Sequence, residues 1–312
     1  MSYTNTSLSP LAPIRLAAFA LLCLLSTAVF SQSDAQKAPG LLAKGAVLKQ
    51  LSAEFSFTEG PAADREGNVY FTDQPNDRIH KWDAATGEIS VFMEPAGRAN
   101  GLCFDRAGNL LACADADNQL WQISPEKAVT VLIRDVDGKK LNGPNDLWLD
   151  SKGGIYFTDP FYKRDYWTRS EKEIEQEKVY YRAPDGELRP VADDLVRPNG
   201  IIGTPDGKKL YVADINDRKT YAYQIEPDGS LSGKTLFTEM GSDGMTLDRK
   251  GNLYLTGRGV TVFNSAGKQI AHIDVEERWT ANVTFGGKKH KTLFITAMKS
   301  VYTLEMRVKG AK

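Results

Sequence analysis

The chain has 312 residues, 41% of them hydrophobic and 10% aromatic, enough to bury a substantial core in one large domain or two ordinary ones. Lysine and arginine total 39 against 40 aspartates and glutamates. The resulting formal charge of −1 argues against nucleic acid or an anionic membrane surface as the main partner.

Arg15 precedes an apolar run, LAAFALLCLLSTAVF (16–30), too short and too close to the start to span a membrane comfortably. Small residues at Ser31, Ser33 and Ala35 follow it and offer cleavage sites. Residues 1–35 therefore read as a secretory signal peptide cleaved near 31–35, with an uncleaved anchor as the alternative. The mature chain is expected to be exported, to the periplasm or outside the cell, and free of the membrane after cleavage. Cys23 is filler in the apolar run. Cys103 and Cys113 lie on successive strands of one hairpin, where bridging geometry is often poor, so two buried thiols are expected.

A short linker is expected over 36–45 and a single domain over 46–308. An early strand covers Ala46 to Leu51. The segment ADREGNVYFTD (63–73) then recurs as FDRAGNLLACAD, LDSKGGIYFTD, TPDGKKLYVAD, LDRKGNLYLTG and GGKKHKTLFITA (286–297). Each copy is a turn rich in Asp, Gly and Lys followed by a short alternating apolar strand. Second turns such as WDAATGEISVF and RAPDGELRPV complete a four-stranded antiparallel meander, repeated roughly every 40 to 55 residues. The spacing predicts an all-β fold, a six-bladed propeller around a central channel. The last repeat is one strand short, so the early strand is expected to pair into it and close the ring. Helical periodicity is nearly absent, its best candidate being Arg169 to Lys178.

Just upstream of each turn stand TEGPAAD, ANGLCFD, PNDLWLD, PNGIIGTPD, SDGMTLD and ANVTFGG. Glu59, Asn100, Asn145, Asn199, Asp243 and Asn282 share one register, at the start of the strand that lines a propeller's channel. Asn and Asp before Gly also form turns for folding reasons alone. Six copies in register, two of them acidic, instead describe a ring of oxygen donors without sulfur or imidazole. Such a ring suits calcium ahead of magnesium or manganese. No GxSxG elbow, HExxH or phosphate-cradling loop occurs. Of three histidines, His290 reads as solvated, and His80 and His272 lie in strands away from the ring.

The motifs FTEGP, LNGPND, RPNGI and SDGM, in that order at blade spacing, resemble the gluconolactonase and senescence marker protein (regucalcin) family, related to diisopropylfluorophosphatase. The resemblance covers residues 50 to 305. It implies a calcium-dependent hydrolase of lactones, sugar lactones among them, with Glu59, Asn145, Asn199 and Asp243 as metal ligands. It also implies Asp243 as catalytic base or nucleophile. Asn145 is then a substrate contact as well, and Asn100 and Asn282, placed beside the metal by register, are expected to support the ligands or touch the substrate. Some animal members carry an Arg where this chain has Gly143, so their sugar contacts do not transfer. The loop 161–179, bearing Tyr162, Arg164, Tyr166, Trp167 and Arg169, is expected to rim the mouth, with Tyr166, Trp167 and Arg169 on the substrate. Two other readings stay open: a phosphotriesterase-like hydrolase on the same metal, and a non-catalytic, calcium-stabilised binding propeller. The expected partner is a small lactone or ester, with no nucleic acid.

Overall fold

A computed structural model describes residues 1–2 and 40–311, and the propeller lies within the compact unit Gln32–Lys312. The apolar run of the expected signal peptide, with Cys23, lies outside the described residues.

Twenty-four strands form six antiparallel sheets of four among the described residues. Blade 1 is β2 (Thr58–Ala63), β3 (Val69–Asp73), β4 (Arg78–Trp82) and β5 (Ile89–Met93). Blade 2 is β6 (Ala99–Phe104), β7 (Leu110–Ala114), β8 (Gln119–Ile123) and β9 (Val129–Ile133). Blade 3 is β10 (Leu147–Leu149), β11 (Ile155–Asp159), β12 (Lys178–Arg182) and β13 (Leu188–Ala192). Blade 4 is β14 (Pro198–Gly203), β15 (Lys209–Asp214), β16 (Lys219–Ile225) and β17 (Leu231–Thr238). Blade 5 is β18 (Met245–Leu247), β19 (Leu253–Gly257), β20 (Gly259–Phe263) and β21 (Gln269–Ile273). Blade 6 is β22 (Asn282–Gly286), β23 (Thr292–Ala297) and β24 (Ser300–Glu305), completed by β1 (Lys49–Ser52) against β24. The expected closure by the early strand is what the chain does.

The second strand of a blade is buried on both faces, and β7 reads LLACA with every residue buried. Core clusters therefore form between blades, not within them. Leu111 and Cys113 of blade 2 pack with Leu147, Phe157 and Tyr180 of blade 3. Val69, Phe71 and Trp82 of blade 1 pack with Phe294 and Val301 of blade 6. His80 belongs to this last seam, stacked on Phe71 at 5.3 Å.

Packing begins earlier than residue 46 and ends later than 308. Leu41 is buried against blades 5 and 6, and Arg307 N donates to its carbonyl (2.7 Å). Gly310 bridges Asp248, and Ala311 N donates to Leu247 O (2.8 Å), strapping the tail across blade 5. Residues Arg169 to Lys178 form no helix, and Lys178 already opens β12. That stretch buries only Ile174 and Glu177, too little apolar surface to support an isolated helix. The insertion thus runs over 160–177. Cys103 opposes Leu111 and Cys113 opposes Leu120, so the ladder does not set the two thiols against each other; only Cys113 is fully buried.

Candidate active site

The same irregularity positions most of the ring. In β2, β6 and β14 the pairing with the second strand gains one residue just after Glu59, Asn100 and Asn199. In blades 3 and 5, regular pairing starts only after Asn145 and Asp243. Bulges of this kind break a strand's alternation and re-aim a side chain. Side chains of the layer then meet across blades, Asn199 with Asp243 and Asn282 with Asp146. The glycine that follows lets the neighbouring blade approach: a Cβ on Gly60 would lie 1.9 Å from Asn100 O, and one on Gly244 1.9 Å from the Asn282 amide carbon. Backbone bonds lock the layers, Gly101 N to Asn145 O (2.7 Å) and Thr158 Oγ1 to Asn199 O (2.7 Å).

All six ring residues lie in this buried layer: Glu59, Asn100, Asn145, Asn199 and Asn282 are 2–6% exposed, and Asp243 is partly so. Blade 3 adds a residue the repeat conceals. Asp146 takes the position that is glycine in blades 1, 2, 4 and 5, and Asn282 Nδ2 donates to its Oδ2 (3.4 Å). Burial pushes Glu59 well above the usual carboxylate range, and the negative charges of Asp243 and Asp146 push it further. Burial raises Asp146 to about 7 and Asp243 to about 6, the latter opposed by bonds from Trp279 and Asn199. Three acidic groups thus resist ionising together, the condition a cation relieves.

Asp243 is held at both oxygens, by Asn199 Nδ2 on Oδ1 (2.9 Å) and Trp279 Nε1 on Oδ2 (2.6 Å). Asn199 Nδ2 also reaches Tyr162 Oη (2.9 Å), while its Oδ1 is buried without a hydrogen-bond partner. A buried acceptor left bare costs about 1–3 kcal/mol, so this oxygen fits a site built for a ligand. Among the described residues no three His, Cys, Asp or Glu side chains gather in a ready-made metal group. The ring's donor set is mixed, carboxylates with amides, and the atoms it can offer a cation are the hard oxygens that calcium takes.

At the mouth the insertion turns its polar atoms inward. The Tyr166 hydroxyl donates to Asp115 Oδ2, Trp167 Nε1 to Asp115 O (2.7 Å), and Arg169 Nη2 to Leu141 O (2.7 Å) and to Asn142 O. Behind the ring a cavity of about 410 Å³ runs to the opposite face, floored by Asp146 and Asn282 and walled by Trp148 and Met245. Glu59, Asn199 and Asp243 do not line it, and Asn199 instead meets Tyr162 of the insertion. The histidines are far from the ring's bonds: His272 Nδ1 meets Thr261 Oγ1 (3.0 Å) and His290 lies by Arg65 O.

Residues 57–299 match the model of the SMP-30/Gluconolactonase/LRE-like region. Gluconolactonase of Zymomonas mobilis is 27% identical over 84% of this chain and 82% of its own. Diisopropyl-fluorophosphatase of Loligo vulgaris is 27% identical over 85% and 94%. A solved gluconolactonase of Xanthomonas campestris superposes with a TM-score of 0.79 at 28% identity, covering 85% of this chain and 91% of its own. The two gluconolactonases, together with relatives named lactonase and lactonohydrolase, support hydrolysis of lactone esters.

Proposed function

The chain belongs to the SMP-30/gluconolactonase/LRE-like family, and on that premise we propose that it is a calcium-dependent hydrolase opening sugar lactones to hydroxy acids. One observation carries the reading: Asn199 bonds Asp243 through Nδ2 and leaves its buried Oδ1 partnerless, while burial and the Asp243 charge oppose ionisation of Glu59. Glu59, Asn145, Asn199 and Asp243 would hold the ion. When bound, a divalent cation supplies positive charge that polarises an ester carbonyl.

The chain's own groups do the rest. Asp243, with a pKa of about 6, is ionised near neutrality yet still basic enough to take a proton from water; direct attack on the carbonyl carbon is the alternative. Trp279 and Asn199 hold its two oxygens in fixed directions. Asn100 and Asn145 present amides to the substrate from the ring, while Asn282 turns its amide to Asp146 and to Val283 N and braces the ring. Tyr166 and Trp167 act through the shape of the rim, since Asp115 engages their polar atoms, whereas Arg169 spends only Nη2 on Leu141 O and Asn142 O and keeps its buried Nε and Nη1 without partners. The relative named diisopropyl-fluorophosphatase favours a second reading, hydrolysis of a phosphorus ester or fluoride at the same site. The apolar run ahead of Ser31 supports export.

The test is a panel of sugar lactones, simple esters and phosphotriesters, assayed with calcium and after exhaustive chelation. Lactone turnover lost on chelation and restored by calcium is the expected result. Full turnover in chelator removes the metal from the reaction; calcium binding without turnover of any substrate leaves a binding propeller.

A further inference from the structure

We propose that Tyr162 is a positioning residue for Asn199, fixing its amide so that the carbonyl oxygen faces the ring. The inference rests on the reading that the ring takes a cation through oxygen donors. Asn199 has two amide hydrogens and two acceptors for them, Tyr162 Oη and Asp243 Oδ1, each at 2.9 Å. An ionised carboxylate only accepts, so turning the amide over would set oxygen against oxygen. Asp243 alone would still let the amide swing about that single bond. The phenol takes the second hydrogen and leaves one orientation, with Oδ1 buried and bare.

Tyr162 is itself clamped. The Arg164 guanidinium lies 5.5 Å from its ring centroid and that of Arg197 lies 5.0 Å away. Arg164 Nε is tied to Asp115 Oδ2 (3.0 Å), and Arg197 Nε to Glu177 Oε2 (3.2 Å). Lys172 Nζ also reaches Glu177 (2.8 Å), and both carboxylates are only 3% exposed. Cations held this way over an aromatic face add directional attraction at a partly desolvated site.

The anchor is a departure from the repeat. Asp73, Asp159 and Asp214 end their second strands by accepting backbone N–H bonds from their own blades, at Ser56 and Phe57, Asn142 and Gly143, and Val196 and Arg197. In blade 2 that register holds Ala114, Asp115 stands one residue further on, and Arg98 N goes to Asp77 Oδ1 (2.5 Å). Asp115 is thereby left to Arg164, Tyr166 and Gln74. One blade lends its carboxylate to an insertion from the next, and the insertion delivers Tyr162 to a third.

A double-mutant cycle on the full chain tests this, read by calcium calorimetry with the thermal midpoint in chelator as the control for folding. Tyr162→Phe is expected to weaken calcium binding about tenfold, about 1.4 kcal/mol, and to cost less than about twofold more in an Asn199→Ala background. If Tyr162→Phe does not fold, Asp115→Asn carries the same cycle through release of Arg164, with a loss of about threefold. Wild-type affinity in Tyr162→Phe, with binding lost in Glu59→Gln, overturns the inference and leaves the ring reading standing. Losses that multiply in the double variant overturn it too, because Tyr162 then acts through the fold and not through Asn199. A wild-type protein that binds no calcium overturns the ring reading and this inference with it.

Discussion

The hairpin turns at one end of the inner strands and the ring residues at the other come from the same repeat, five residues apart in four blades. Their side chains end in opposite states. Asp64, Asp105, Asp150 and Asp248 each fold back on their own turn, accepting the N–H four residues on at 2.8–3.0 Å. Asn68, Asn109 and Asn252 close the same turns with side-chain bonds of 2.7–2.8 Å to the second oxygen. In the ring the counterparts differ from blade to blade, face like charges, and leave an oxygen bare. Where the repeat is chemically uniform it satisfies itself locally and serves folding. Where it varies, local satisfaction has been given up for something held in common at the axis.

Breaking that contrast from the ring side should give the largest effect. Asp243→Asn should lower kcat on lactones by about 10²–10⁴, while the chelated protein near neutral pH is no less stable than the parent. Unchanged kcat at saturating calcium would take Asp243 out of the reaction.

From the turn side the pattern should invert. Asp248→Ala abandons the Lys250 and Asn252 N–H groups, the Asn252 amide and the Tyr254 hydroxyl. A loss of about 2–3 kcal/mol in chemical denaturation is expected, with calcium affinity near that of the parent. A large fall in affinity with little change in stability would dissolve the distinction between the two layers.

Acidity offers a third way to separate them. Asp146 and Asp159 are raised to about 7 and Asp243 to about 6, from 3.8, each chiefly by burial. Groups raised in the folded state add stability below the unfolded value and lose it as pH climbs through the folded value. The chelated protein should therefore lose stability between about pH 4 and pH 7 through these groups, and calcium should flatten the slope. A melting profile with the same slope in calcium and in chelator would mean that the ring acids do not meet the ion.

The smallest effect is expected at the rim. Tyr166→Phe removes one bond to Asp115 and should cost about 1 kcal/mol of stability, leaving the ranking among lactones as it was. A re-ranked panel would place that hydroxyl on the substrate.

Periodicity made the blades, the closing strand and the ring register readable in the sequence, because each depends on short-range patterning repeated at fixed spacing. Asp146 escaped notice because Asn145–Asp146 looks like one more turn-forming pair. Only the close approach of the blades shows that it occupies a glycine's place. Tyr162 was visible as an aromatic of the insertion, but its hydroxyl reaches Asn199 through a fold-wide arrangement that no local pattern encodes. Trp279 lies between blades, outside any repeat. Asp115 looked like Asp73 and Asp159, but the ladder sets Ala114 in their register and carries Asp115 one residue on, while Asp77 takes the Arg98 N–H.

The pairing of β1 with β24 has a consequence for the order in which the chain is made. Gln50 meets Ser300 and Tyr302, partners some 250 positions away. The outermost strand of the last blade is thus synthesised first and must wait, edge unpaired, until nearly all the rest has followed. Contacts of such sequence separation are slow to form. Glu59 and Asn282, which come from the first and last blades, can face each other only at that final meeting. A nascent or truncated chain, however well its individual blades have folded, would carry the ring's oxygens without their common centre.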